Sequence, residues 1–186
     1  LDRLIKTSRW YPNFIVSSRS TAKSVFTSIT GIPDVSSIET ATRNPYLTHQ
    51  RSTINSFDQH HKYYMLGGSS GWANMSALIR NSIDDVTLLE EKSWQSDIVD
   101  VWGISDLALF SEASSILEVS KTPFLAYVQT AGNHSPFTIP EDKSGFIEKE
   151  LNQETLDKGG FISNKQYNAV RLLDSNIGKM LDLFKK

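Results

Sequence analysis

Apolar positions along the chain fall into helical and extended patterns in alternation. In "SSRSTAKSVFTSITGIP", residues 17 to 33, Ala22, Val25, Phe26 and Ile29 recur at the spacing of one helix face. The pattern predicts a helix starting near Thr21, capped by Ser18 or Ser20 and ended by Gly31, with Pro33 barring continuation. "SDLALFSEASSIL" predicts a second helix, capped by Ser105 or Asp106, with Leu109, Phe110, Ala113 and Leu117 facing inward. The C-terminal stretch predicts a long helix with an apolar stripe of Val170, Leu173, Ile177, Leu181 and Phe184. "NFIVSS" reads as a short strand, and "KYYMLGGSSGWANMSALIR" as a strand, a Gly-rich turn and a short helix. "PFLAYVQT" is almost wholly apolar, as a strand buried on both faces should be. Residues 34 to 61, 82 to 100 and 141 to 162 are polar and weakly periodic, which predicts loops with short pieces of structure.

Strands alternating with helices predict an α/β fold, a mainly parallel sheet flanked by helices. Ligands in such sheets bind outside the carboxyl ends of the strands. "SSRST", "GGSSGW" and "TAGNHSPF" each follow a predicted strand. With parallel strands, the hydroxyl cluster faces the Gly-rich turn and the loop histidine across one crevice.

Composition narrows the classes. The 186 residues suit one domain or a large part of one, and 39% hydrophobic residues are enough for a core. A net charge of −2 gives no basic field for nucleic acid. Having no cysteine removes disulfides, a thiol nucleophile and thiolate metal sites, and fits an oxidising or extracytoplasmic compartment. No apolar run is long enough to span a membrane, and no signal peptide is visible. The chain opens on "LDRLIK" rather than a methionine, which reads as a segment of a longer protein.

Thr21 stands where free backbone N–H groups and the positive end of the helix dipole gather. Such a place attracts phosphate or sulfate and favours a hydroxyl that loses its proton as it attacks. The competing reading is a well-capped helix, since Ser and Thr are the usual caps. His134 follows the apolar strand, between Asn133 and Pro136. It can donate to a phosphoryl or sulfuryl oxygen or protonate a leaving group, or simply bond to backbone. Trp72 can line a pocket or pack beneath the turn, and Asn74 can reach the same place. Lys23 and Arg19 can balance anionic charge near Thr21 or remain solvated. Trp102 reads as a packing residue. His49, His60 and His61 lie in a polar segment without a carboxylate pattern, so they read as surface histidines rather than a zinc site.

Several of these motifs together resemble the sulfatase-type branch of the alkaline phosphatase superfamily, with lipoteichoic acid synthase-like phosphoglycerol transferases as the nearest group. "LDRL" resembles the segment that follows Thr-Pro-Asn in sulfatases, and "STAKSVFTSITGIP" the nucleophile helix. "YYMLGGSSGWANM" resembles the segment with a substrate-contacting Trp, and "VWGISD" the Trp-Gly-x-x-Asp stretch. "PFLAYVQTAGNHSPF" resembles the strand ending in Asn-His-x-Pro-Phe, and "YNAVRLLDSNIGKMLDLFK" the long helix before the last metal motif.

The resemblance implies metal-dependent phosphoryl transfer. Thr21 is then the nucleophile and a metal ligand, while His134 and Trp72 contact the substrate's phosphate and head group. Asn74 falls where the synthases have Arg, which alters that contact. The implied cofactor is a divalent cation, Mn or Mg, with Zn or Ca as alternatives. The remaining ligand motifs fall outside either end, so residues 1–186 read as the central part of one catalytic domain that is inactive as a fragment. The implied substrate is a phosphodiester lipid or glycan, and the implied setting is extracytoplasmic, in a membrane-anchored parent of the cell envelope. True sulfatases convert Cys or Ser in Cys/Ser-x-Pro-x-Arg to formylglycine. Thr21 followed by "AKSV" cannot give that aldehyde by the same chemistry, which favours phosphate over sulfate esters. The alternatives are a phosphoethanolamine transferase, a phosphodiesterase or sulfatase-like hydrolase, and a non-catalytic module for anionic glycans or lipid head groups.

Overall fold

A computed structural model describes residues 2–36 and 39–184. Leu1 of "LDRL" and Lys185 of the last helical segment lie outside the described residues. The helices are α1 (Asp2–Ile5), α2 (Thr21–Thr30), α3 (Met75–Ser82), α4 (Asp106–Glu118), α5 (Gln153–Lys158) and α6 (Asn164–Leu183). The strands β1 (His61–Leu66), β2 (Val86–Leu89) and β3 (Phe124–Gln129) form a parallel sheet in the order β2-β1-β3, flanked by helices. The α/β class read from the sequence is therefore the fold observed.

The chain divides into two compact units. The first comprises Leu1–Tyr64, Ser70–Leu89 and Ser120–Tyr127. Here α2 buries Ala22, Val25, Phe26 and Ile29, the face its spacing predicts. It packs on α3 and on 3-10 turns at Ala41–Arg43 and Thr53–Ser56. The polar segment between α2 and β1 is held by side-chain bonds to backbone. Ser52 Oγ donates to the Ile29 carbonyl at 2.6 Å, and Ser82 Oγ to that of Thr48 at 2.8 Å. Asp34 accepts from the N–H groups of Ser36 and Ala41 at 3.1 and 2.7 Å. Burial opposes ionisation of Asp34, but those donors, the Ser36 hydroxyl and the nearby Lys23 outweigh it and hold the carboxyl below its ordinary value.

The second unit comprises Met65–Ser69, Glu90–Val119 and Val128–Lys186. Ser105 caps α4, its Oγ accepting from Ala108 N–H at 3.0 Å, and Leu109, Phe110, Ala113 and Leu117 are buried as predicted. α4 packs on α6. The buried positions of α6 are Asn168, Ala169, Leu172 and Asn176, not the predicted stripe; Val170 and Phe184 are exposed. The reason is polar anchoring. Asn168 bonds to both the N–H and the carbonyl of Lys149 at 2.9 Å, and Asn164 bonds likewise to Leu151 at 2.9 and 3.1 Å. Two amide side chains thus fix which side of the helix turns inward.

Two strand expectations need correction. "NFIVSS" forms no strand, and Phe14, Ile15 and Val16 are 81%, 85% and 65% exposed; an apolar run gains extended structure only by pairing, and these residues pair with none of the described strands. β3 is half-buried rather than buried, its first residue exposed and the others partly covered, and it lies at the edge of the sheet beside β1. β2 lies inside the stretch read as irregular.

In the second unit the backbone passes itself at close range. Gly103 has φ +109°, and a Cβ there would stand 2.0 Å from the Gly67 carbonyl oxygen; one on Gly68 would stand 2.4 Å from that of Trp102. Gly103→Ala is therefore expected to destabilise the full-length protein by on the order of 3 kcal/mol, read as a lower Tm. Gly178→Ala in α6, whose Cβ meets nothing within 4 Å, should leave Tm unchanged or raise it. Thermal denaturation of the two variants side by side checks both.

Candidate functional site

Helix α2, with Thr21, belongs to the first unit. Thr21 is the first residue of α2 and is exposed, and its hydroxyl makes no hydrogen bond among the described residues. Ser20 occupies the cap position in extended conformation, but its side chain makes no capping bond, and the first turn holds no acidic residue. Ser18 does not cap either. Its Oγ accepts from Ser20 N–H at 3.1 Å, and Ser24 Oγ donates to its carbonyl at 3.1 Å. The hydroxyls brace the chain ahead of the helix and leave its first-turn N–H groups without a capping side chain. That corrects the well-capped reading and leaves a helix end suited to an anion.

Lys23 Nζ donates to the Ser36 carbonyl and lies near Asp34, so it ties down the segment after α2. Arg19 is exposed. Trp72 opens a 3-10 turn, Trp72–Asn74, and is 43% exposed, which removes the reading of a core Trp. Ala73 and Asn74 both have positive φ, 51° and 58°. Asn74 Nδ2 donates to the Thr42 carbonyl at 2.8 Å, so one end of its amide is committed to holding this turn.

His134 belongs to the second unit, on the loop that leaves β3. Its Nδ1 lies 2.9 Å from the Ser135 carbonyl oxygen. A carbonyl only accepts, so Nδ1 carries the hydrogen. In the neutral ring Nε2 then holds a lone pair; in the imidazolium it holds a proton to give. The same carbonyl accepts from Trp102 Nε1–H at 2.8 Å, and the Trp102 and His134 rings lie 3.8 Å apart, tilted by 44°.

Trp102 is thus not a remote packing residue. Asp106 also differs from expectation. Ser105 is the cap, and the buried Asp106 carboxylate accepts from Ala131 and Gly132 N–H at 3.0 and 3.1 Å, at the root of the histidine loop. Burial pushes its carboxyl above the ordinary value and Asp142 adds to this, while the two N–H bonds pull the other way. "VWGISD" was visible as a motif, but its 32-residue separation from His134 hid the contact.

Among the described residues no three His, Cys, Asp or Glu side chains converge to hold a metal ion. Thr21 supplies one oxygen, which is not a donor set. His61 Nε2 lies 2.8 Å from Thr87 Oγ1, and His60 packs edge-on against Phe57.

The sulfatase family model matches residues 1–186. The chain belongs to the sulfatase family. Its fold is shared by an alkaline phosphatase superfamily protein from Vibrio parahaemolyticus at 24% identity and TM-score 0.68, covering 87% of this chain and 38% of that one. The lipoteichoic acid synthase LtaP from Listeria monocytogenes is similar at 21% identity and TM-score 0.72, covering 91% and 41%. The C-terminal periplasmic domain of EcEptC from Escherichia coli, in complex with Zn, is similar at 17% identity and TM-score 0.60, covering 99% and 51%. This sulfatase-family chain therefore spans between about a third and a half of these solved chains. No curated protein sequence matches it. None of its helices is long and apolar enough to cross a membrane, among the described residues.

Proposed function

We propose that the full-length protein is a phosphoryl transferase that uses Thr21 as its nucleophile, and that residues 1–186 are the central part of its catalytic domain. The observation that carries this reading is the exposed Thr21 hydroxyl at the first position of a helix whose start no side chain caps. Family membership and the lack of a formylglycine precursor at that position support phosphorus over sulfur chemistry.

In the first half-reaction the exposed Thr21 Oγ1 gives its proton to solvent water and bonds to phosphorus. The bond from phosphorus to the leaving alcohol's oxygen breaks, and that oxygen takes a proton. The uncapped N–H groups of α2 face the phosphoryl oxygens, where charge grows. His134, as imidazolium, carries at Nε2 a proton that it can give to a leaving oxygen. Trp72 offers ring surface and an indole N–H to the head group, with Asn74 beside it and Arg19 and Lys23 adding positive charge. A second alcohol, or water, then bonds to the phosphorus and gives up its proton to solvent, while the bond from phosphorus to Thr21 Oγ1 breaks and Oγ1 takes a proton back from solvent.

The proposed substrate is a phosphodiester lipid or glycan of phosphoglycerol type, handled outside the cytoplasm by a membrane-anchored protein. Similarity to a lipoteichoic acid synthase and to a periplasmic domain supports this. Similarity to a domain in complex with Zn supports divalent-metal dependence of the whole protein, with Thr21 as one ligand. The described residues do not complete such a site. Residues 1–186 alone are therefore expected to bind Mn or Mg weakly and to turn over nothing. Titration calorimetry with either ion checks this; one tight, stoichiometric site would show that the ligands are misassigned. Phosphate on Thr21 in the full-length protein tests the reading itself.

A further inference from the structure

Resting on that reading, we infer that Trp102 and Asp106 are positioning residues for His134, which together hold its loop and fix the direction and tautomer of its ring. The two clamp the loop at different points. Asp106 is buried, and its Oδ1 takes the N–H groups of both Ala131 and Gly132, where the loop leaves β3. Trp102 fixes the other side, its indole N–H bonded to the Ser135 carbonyl and its ring against the imidazole. That carbonyl also receives His134 Nδ1–H. Holding it still holds both the ring's direction and its tautomer.

The Trp102 side of the clamp is itself anchored. Its own N–H donates to Asp100 Oδ1 at 2.8 Å, and the next residue is Gly103, pressed against Gly67. Asp106 is anchored by its place in the first turn of α4, beside the cap Ser105, whose hydroxyl also bonds to Asp142. Gly132 has no room for a side chain, since a Cβ there would lie 2.8 Å from Asp106 Oδ2. The spacing in "WGISD" thus places an indole and a carboxylate on two ends of one short loop.

The role of Asp106 is to accept two backbone hydrogens, which asks for an oxygen and not for a negative charge. Burial, which disfavours that charge, agrees with this. Asp106→Asn keeps a carbonyl oxygen at the same place and should retain at least half of wild-type kcat. Asp106→Ala removes the acceptor and Trp102→Phe removes the N–H while keeping a ring. Each should lower kcat about tenfold on a glycerol phosphodiester, with KM within twofold.

The test uses the full-length protein, with nitrogen-15 imidazole spectra alongside kinetics. Spectra of the neutral form of the ring should show the wild-type His134 hydrogen on Nδ1. Asp106→Ala and Trp102→Phe should shift it towards Nε2–H, and Asp106→Asn should not. If Asp106→Ala fails to fold, Trp102→Phe and Asp106→Asn decide. Wild-type tautomer in Trp102→Phe, or equal losses of kcat in Asp106→Asn and Asp106→Ala, overturns the clamp. A shifted tautomer with unchanged kcat overturns its catalytic consequence. Full turnover in Thr21→Ala overturns the underlying reading instead, and the nitrogen spectra tell that failure apart.

Discussion

Thr21→Ala is expected to abolish turnover of the full-length protein, by at least ~10⁴-fold, while its melting curve barely moves. The two halves of that expectation have separate grounds. Removing a nucleophile removes the covalent path, and losses of this size follow when a reacting hydroxyl is deleted. The stability half comes from the local geometry. Thr21 is exposed and its side chain makes no hydrogen bond among the described residues, so its loss resembles a surface substitution, within about 0.5 kcal/mol. A capping threonine would cost about 1 kcal/mol, but the cap position of α2 is Ser20, not Thr21. Wild-type protein stopped during turnover should carry phosphate on the peptide spanning residues 20 to 23. Phosphate on Ser20 or Ser24 would move the assignment. Ser24 is the weaker rival, because its hydroxyl already donates to the Ser18 carbonyl.

What the sequence made legible depends on how local each feature is. Helix α2, its Gly31 stop and its buried face follow from spacing within fourteen residues, and they are observed as read. The buried face of α4 and its cap at Ser105 are local in the same way. The buried face of α6 was not legible, because two asparagines bonding to Lys149 and Leu151 outvote the apolar stripe. Hydrophobic periodicity has no means of registering an amide that finds backbone partners. The absence of a cap on α2 was illegible for a related reason. The right residues are present, but Ser18 and Ser24 bond to the chain ahead of the helix instead. Trp102 and Asp106 could be seen only as a packing residue and a cap until the loop after β3 was placed beside them.

His134→Ala should lower kcat on a glycerol phosphodiester by roughly a hundredfold or more, and the loss should shrink as the leaving group improves. The tautomer gives the reason. With Nδ1–H bonded to the Ser135 carbonyl, only Nε2 can serve the reaction, and it can give a proton only as imidazolium. An alkoxide leaving group needs that proton. A nitrophenolate does not, since it is stable as the anion. A p-nitrophenyl phosphodiester should therefore lose less than about tenfold in the variant. Were His134 only to orient the phosphate through a hydrogen bond, both substrates would suffer alike. Were it only a loop residue, neither would. Folding is not expected to confuse the result, because the ring is exposed and the loop keeps its anchors at Asp106 and Trp102. Measuring kcat and KM for the two substrates in wild type and His134→Ala separates the three cases; a loss that is the same on both would remove the proton-donor role.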